Sequence, residues 1–263
     1  MRIREQVEVD QSGDVAGQPM VIDADGIHYR LLNHQLRQAV RQGVRRIELH
    51  HVYGQRYIGT DLHRPVDIDV HGTPGNDLAA FMDGPRVVVH GNAQDGCGNT
   101  MNGGELIVHG RAGDATGHSM RGGQIFIRDD VGYRVAIHMK AYGEKHPTIV
   151  IGGTAQHFLG EYMAGGVLVV LGLTLPPGAR HTANFIGTGM HGGVMYIRGE
   201  VDDYQLGQEV GQVPLDEADH ALLEELVAQY TARFDRDAGA ILAQPFTKLI
   251  PLSSRPYGRL YAY

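Results

Sequence analysis

Gly96-Cys97-Gly98-Asn99-Thr100-Met101-Asn102-Gly103-Gly104-Glu105-Leu106-Ile107-Val108 decides the fold, because its frame of glycines, one methionine and a short apolar run returns along the chain. The same frame spans Gly187 to Ile197. Met82, Met101, Met120 and Met139 are evenly spaced, each nineteen positions after the last; Met163 and Met190 follow after longer gaps, and Leu62 lies twenty positions before the first. Three positions ahead of each comes a small residue: Gly59, Ala79, Gly98, Gly117, Ala136, Gly160 and Gly187. Two positions behind comes another, at Gly84, Gly103, Gly122, Ala141, Gly165 and Gly192, with Arg64 the exception. An internal period of this kind governs every later structural reading.

Each unit runs into a short apolar strand, such as Arg86-Val87-Val88-Val89, Leu106-Ile107-Val108, Gln124-Ile125-Phe126-Ile127 or Met195-Tyr196-Ile197. So short a unit has no room for a strand plus a crossover helix, and such strands do not stand alone. Stacked coils solve both problems, since each strand pairs with its equivalent in the next turn at ~4.8 Å and inward residues form ladders. The expected fold is therefore an all-β solenoid, a right-handed parallel β-helix of about seven coils from Ile47 to Gly199. Small corner residues admit positive φ and close approach between turns, and the methionine ladder fills the core.

Two insertions break the period. One lies around Tyr142-Gly143-Glu144-Lys145-His146, the other runs from Leu173 to Phe185 with Pro176-Pro177. Inserted loops on solenoids gather on the binding face, so both are candidate partner contacts. The open ends of a solenoid need covers. Residues 1–45 are read as an N-terminal segment with a capping helix, N-capped by Asn33 and running from His34 to Gln42 before Gly43. Residues 46–200 form the parallel β-helix, and 201–263 supply C-terminal helices and an extended tail. The longer helix starts at Asp216 and reaches Phe234, with Leu222, Leu223, Leu226, Val227, Tyr230 and Phe234 as its apolar stripe. In the tail, Tyr257, Arg259 and Tyr261 are of the types enriched at interfaces, which makes them candidate contact residues.

Composition narrows the function. Glycine supplies 37 residues, about twice its usual share of roughly 7%, yet 42% of the chain is hydrophobic, so the glycines serve a regular fold. A net charge of −7 argues against a nucleic-acid partner. Cys97 is the single cysteine, which excludes an internal disulfide and a cysteine-ligated cluster built from this chain alone. No stretch approaches the ~18 apolar residues of a membrane span and no signal peptide opens the chain, so a cytoplasmic location is expected.

Chemistry is scarce. Gly117-His118-Ser119-Met120-Arg121 misses the last glycine of the nucleophile-elbow pattern. Gly187-Thr188-Gly189-Met190-His191-Gly192 matches a bare dinucleotide pattern, but it opens a solenoid strand and no helix. His71, His90 and His109 recur with the methionine period and should stack as a column facing solvent or a partner. Ligands in a line do not converge on one ion, and no carboxylate shares the column, whose next member is Arg128. Asp95 beside Cys97 disfavours a thiolate there, and Asp95 and Asp114 are expected to bond turn amides. No catalytic, cofactor-binding or metal residue is assigned.

The frame Gly-x-Gly-x-x-Met-x-Gly-Gly-x-apolar-x-apolar resembles the glycine-rich repeat of the C-terminal β-helix domain of the glutamate synthase large subunit. Asn33 to Gly59 is similar to that domain's entry, and the Asp216 helix with the tail from Phe246 is similar to its exit in stand-alone versions. The resemblance implies a scaffold subunit of a glutamate-synthase-like or N-methylglutamate-synthase-like complex, beside a glutamine amidotransferase-like subunit and a synthase-like subunit carrying FMN and iron–sulphur clusters. A second resemblance is to the β-helical subunit of formylmethanofuran dehydrogenase and of the bacterial formyltransferase/hydrolase complex, again a scaffold. A hydrolase using Ser119 or Cys97 is the alternative from another class.

Overall fold

The computed structural model describes residues 18–252. One sheet runs the length of this region, with strand order β1-β2-β3-β4-β5-β6-β7-β8-β9-β11-β10. Its strands are β1 (Met20–Asp23), β2 (Arg46–Tyr53), β3 (Asp67–Thr73), β4 (Arg86–Val89), β5 (Glu105–Val108), β6 (Gln124–Ile127), β7 (Thr148–Ile151), β8 (Ala164–Val170), β9 (Gly192–Arg198), β10 (Val210–Val213) and β11 (Phe246–Pro251). From β1 to β9 every pairing is parallel between neighbours in sequence, the signature of a parallel solenoid.

The registered pairs give the repeat directly. Asp67, Arg86, Glu105 and Gln124 align at steps of nineteen positions, as do Thr148 and Val167. The step lengthens from Arg46 to Asp67, from Gln124 to Thr148 and from Val167 to Val194, so the strict period holds only where no loop is inserted. Inward positions stack as Ile47, Ile68, Val87, Leu106, Ile125, Ile149, Leu168 and Met195, all essentially without solvent exposure. All six repeat methionines, from Met82 to Met190, join them in one continuous core.

Across from the sheet each coil turns through an arc in which every second residue is left-handed. The triplets include Asp77, Ala79 and Phe81; Gly96, Gly98 and Thr100; Ala115, Gly117 and Ser119; Arg134, Ala136 and His138; and Phe158, Gly160 and Tyr162. Hydrogen bonding explains the alternation. The outer two residues donate forward, as Asp77 N–H to Asp95 O and Phe81 N–H to Asn99 O, while the middle one donates back, as Ala79 N–H to Ile58 O. Buried amides are thus satisfied up and down the stack without a strand. A non-glycine residue in this region costs about 1–2 kcal/mol, which the coil-to-coil bonds offset. The middle position points into the core, and a Cβ on Gly117 would lie 2.2 Å from Ile149 Cδ1, so only glycine or alanine stands there.

The flanks differ from expectation in three ways. The first helix, α1 (Tyr29–Arg41), begins at the His28 cap, not at Asn33. Asn33 lies inside it, buried, and its Nδ2 donates to Tyr29 O and Arg56 O at 2.8 Å each, tying the helix to the chain after β2. Second, β1 and β10 join the sheet, although neither has the repeat's signature in its sequence. Third, the long helix, α2 (Glu217–Phe234), begins at the Asp216 cap as expected but does not cover the solenoid's end. It lies along the sheet's outer face, packed on Val88, Ile107, Phe126, Val150, Val169 and Tyr196. Its apolar stripe meets the one apolar column that points away from the solenoid core, which is the physical reason for its course. The end is sealed instead by β11, antiparallel to β9, with β10 outside it. A short helix, α3 (Ala238–Leu242), connects α2 to β11.

Candidate functional site

Three outward columns run across the sheet. The first alternates sign, Arg46, Asp67, Arg86 and Glu105, with Arg86 Nε donating to Glu105 Oε2 at 2.9 Å. The second starts polar, at Glu48 and Asp69, then turns apolar from Val88 onward where α2 covers it. The third is the histidine column. His50, His71, His90 and His109 stack with ring centroids 4.7, 4.5 and 5.6 Å apart and planes within 16° of parallel. Phe234, the last residue of α2, closes the row with its ring edge on His109 at 5.1 Å.

Two features here elude a reading of the sequence. His50 belongs to the column but precedes His71 by twenty-one positions, so strict periodicity misses it. Carboxylates do stand beside the imidazoles, in the neighbouring outward column. Asp69 Oδ1 is 2.8 Å from His90 Nε2, and Glu48 Oε2 is 3.5 Å from His50 Nε2. Burial, then the His90 and His50 rings, lower the pKa of His71. Burial, then His90 and the guanidiniums of Arg128 and Arg86, do the same for His109. Both shifts favour the neutral ring.

Helix α2 runs from β9 back to β5. Tyr196 Oη donates to Asp219 at 2.5 Å, Gln124 meets Gln229 at 3.2 Å, Tyr230 Oη donates to Arg128 O at 2.9 Å, and Arg233 pairs with Glu105. The helix between Asp219 and Arg233 covers about 22 Å and four strand spacings about 19 Å, so the two elements match in length. Gly152 is required by this contact, because a Cβ there would lie 1.8 Å from the Tyr230 hydroxyl.

Of the candidate nucleophiles, Cys97 lies in the core and Ser119 on an arc. Cys97 is fully buried, its Sγ donates to Gln94 O at 3.1 Å, and burial, then Asp95 and Asp77, push its thiol up to about 12. Ser119 occupies a left-handed arc position with its N–H on Ile137 O. Asp95 accepts from Asp114 N–H at 2.9 Å and Asp114 accepts from Tyr133 N–H at 2.8 Å, so these carboxylates pin one coil to the next. Gly187 to Gly192 leads into β9, and no helix follows it.

Of the insertions, the first folds back on the solenoid, where Lys145 Nζ reaches both carboxylate oxygens of Asp83 at 3.1 Å and leaves Tyr142 exposed. The second forms, with Arg198 and Pro245, a cleft of about 620 Å³. Tyr257, Arg259 and Tyr261 lie outside the described residues. No helix among the described residues is long and apolar enough to cross a membrane.

A family model described as the GXGXG motif matches residues 37–252. An uncharacterized protein of Methanocaldococcus jannaschii is 44% identical over 250 residues, covering 92% of this chain and 96% of that protein.

Proposed function

The chain belongs to the GXGXG motif family, and from that premise we propose that it is a non-catalytic scaffold subunit of a glutamate-synthase-like or N-methylglutamate-synthase-like complex. One observation carries the reading: the single cysteine and three turn carboxylates are taken up in the solenoid's own packing and hydrogen bonds. Cys97 is buried and Asp95, Asp114 and Asp130 accept main-chain amides of the following coil. In this reading a glutamine amidotransferase-like subunit releases ammonia and a synthase-like subunit holds FMN and iron–sulphur clusters. Such clusters belong to partners, because a single buried cysteine cannot ligate them.

Gentle anoxic affinity purification of the chain from its host, with mass spectrometry of the co-eluting proteins and a visible spectrum, tests the proposal. A glutaminase-like chain with a yellow-brown flavin and iron–sulphur subunit is the expected result. Molybdenum- or tungsten-containing or amidohydrolase-like partners would overturn it in favour of a formyl-transfer assembly.

A further inference from the structure

We propose that Glu48, His50 and His71 form a binding site for a divalent transition-metal ion of the zinc or nickel class. Their ligand atoms, one carboxylate oxygen and two imidazole nitrogens, all lie within 4.8 Å of one another. Glu48 and His50 are two positions apart on β2 and so share its outer face, while His71 stands beside His50 on β3. The linear column alone makes a poor site, but the second outward column supplies the carboxylate that turns a line into a triangle. Asp69 and His90, one coil further on, repeat the same diagonal contact at 2.8 Å, which shows that the sheet brings these two columns within bonding reach.

A tetrahedral ion with bonds of ~2.0–2.1 Å brings its ligand atoms to about 3.3 Å from each other. The Glu48–His50 pair, at 3.5 Å, is already near that value. His50 and His71, stacked at 4.7 Å and 9°, are not: two parallel rings cannot both hold an ion in their planes, so they must tip toward each other. The movement asked of the site is one of side-chain torsions, and the side chain of His50 is 40% exposed and that of Glu48 31%. The backbones stay fixed by the parallel ladder between β2 and β3. Helix α2 ends at Phe234 against His109, so among the described residues no helix covers this end of the column. Two imidazoles and one carboxylate favour copper, nickel and zinc over harder ions, and they leave a fourth position for water.

The test is isothermal titration of tag-free, chelator-treated full-length chain with Zn²⁺, together with the visible absorption of Co²⁺ as a probe of coordination. The expected result is one site per chain, weakened about tenfold or more by His71→Ala and by Glu48→Gln, the scale on which even outer-shell partners matter. His109→Ala, in the same column but beyond reach of Glu48, leaves binding unchanged. Circular dichroism confirms that each variant folds, and the surface substitution Glu48→Gln serves if His71→Ala does not. Absence of binding to the wild-type chain, wild-type affinity in Glu48→Gln, or an equal loss in His109→Ala would overturn the proposal.

Discussion

At Gly117 two demands coincide: φ is +73°, and the space where a Cβ would go is filled by Ile149 Cδ1 at 2.2 Å. Gly117→Ala is expected to destabilise by about 2–4 kcal/mol, the sum of left-handed strain and overpacking, read as a shift in the urea midpoint. Gly143→Ala is the control. It shares a left-handed φ of +58° but has nothing within 4 Å, so only the strain, about 1 kcal/mol, is expected. Equal costs at the two sites would refute this explanation of the arc. The period and its small residues were legible because steric exclusion acts on residue identity itself. The left-handed outer positions were not, since Phe81, Arg134 and Tyr162 are unsuited to that conformation and take it to keep their amides bonded between coils. Likewise the repeat pattern points to Gly103 and Gly122, whereas the positive φ falls on the following Gly104 and Gly123.

At the scale of elements, α2 is fastened by polar contacts over an apolar strip. Tyr230→Phe removes the hydroxyl that bonds Arg128 O and leaves that carbonyl unpaired; a loss of about 1–2 kcal/mol with unchanged helix content is the expected outcome. At the start of the helix, burial raises the pKa of Asp219, but the bonds from Lys248, Tyr196 and Asp216 N–H outweigh it and hold the carboxyl at about 2. Its folded pKa lies below the ordinary 3.8, so its contribution to stability is present above that value and is lost as pH falls from about 4 toward 2. Thermal unfolding followed across that window should steepen with acid in the wild type and lose that part of the slope in Asp219→Asn. The extent of α2 was legible in the Asp216 cap and the Leu223 to Phe234 stripe; its position was not. An apolar stripe states that a face must be covered without saying by what. The informative signal was the change of one outward column from Glu48 and Asp69 to Val88, Ile107 and Phe126, which a strand-by-strand reading treats as ordinary core.

For the whole molecule, the solenoid is closed by unlike devices at its two ends. Residues Leu32, Leu36, Ala39 and Val40 of α1 join the front of the core. At the back, β11 takes up the edge of β9 in antiparallel register, Thr247 opposite Ile197 and Leu249 opposite Met195. An uncovered β9 would offer its amides to another chain. A chain truncated after Gly199 is therefore expected to self-associate with rising concentration in sedimentation velocity, where the full chain does not associate through that edge. Between those ends the arcs from Asp77 to Tyr162 repeat the same exchange of bonds, and in the proposed reading the chain does structural work and leaves chemistry to partners. The most direct measurement is glutamine-dependent turnover by the purified assembly carrying Cys97→Ser and Ser119→Ala together. A scaffold role predicts an intact assembly with unchanged kcat; an intact assembly whose turnover is abolished would contradict it.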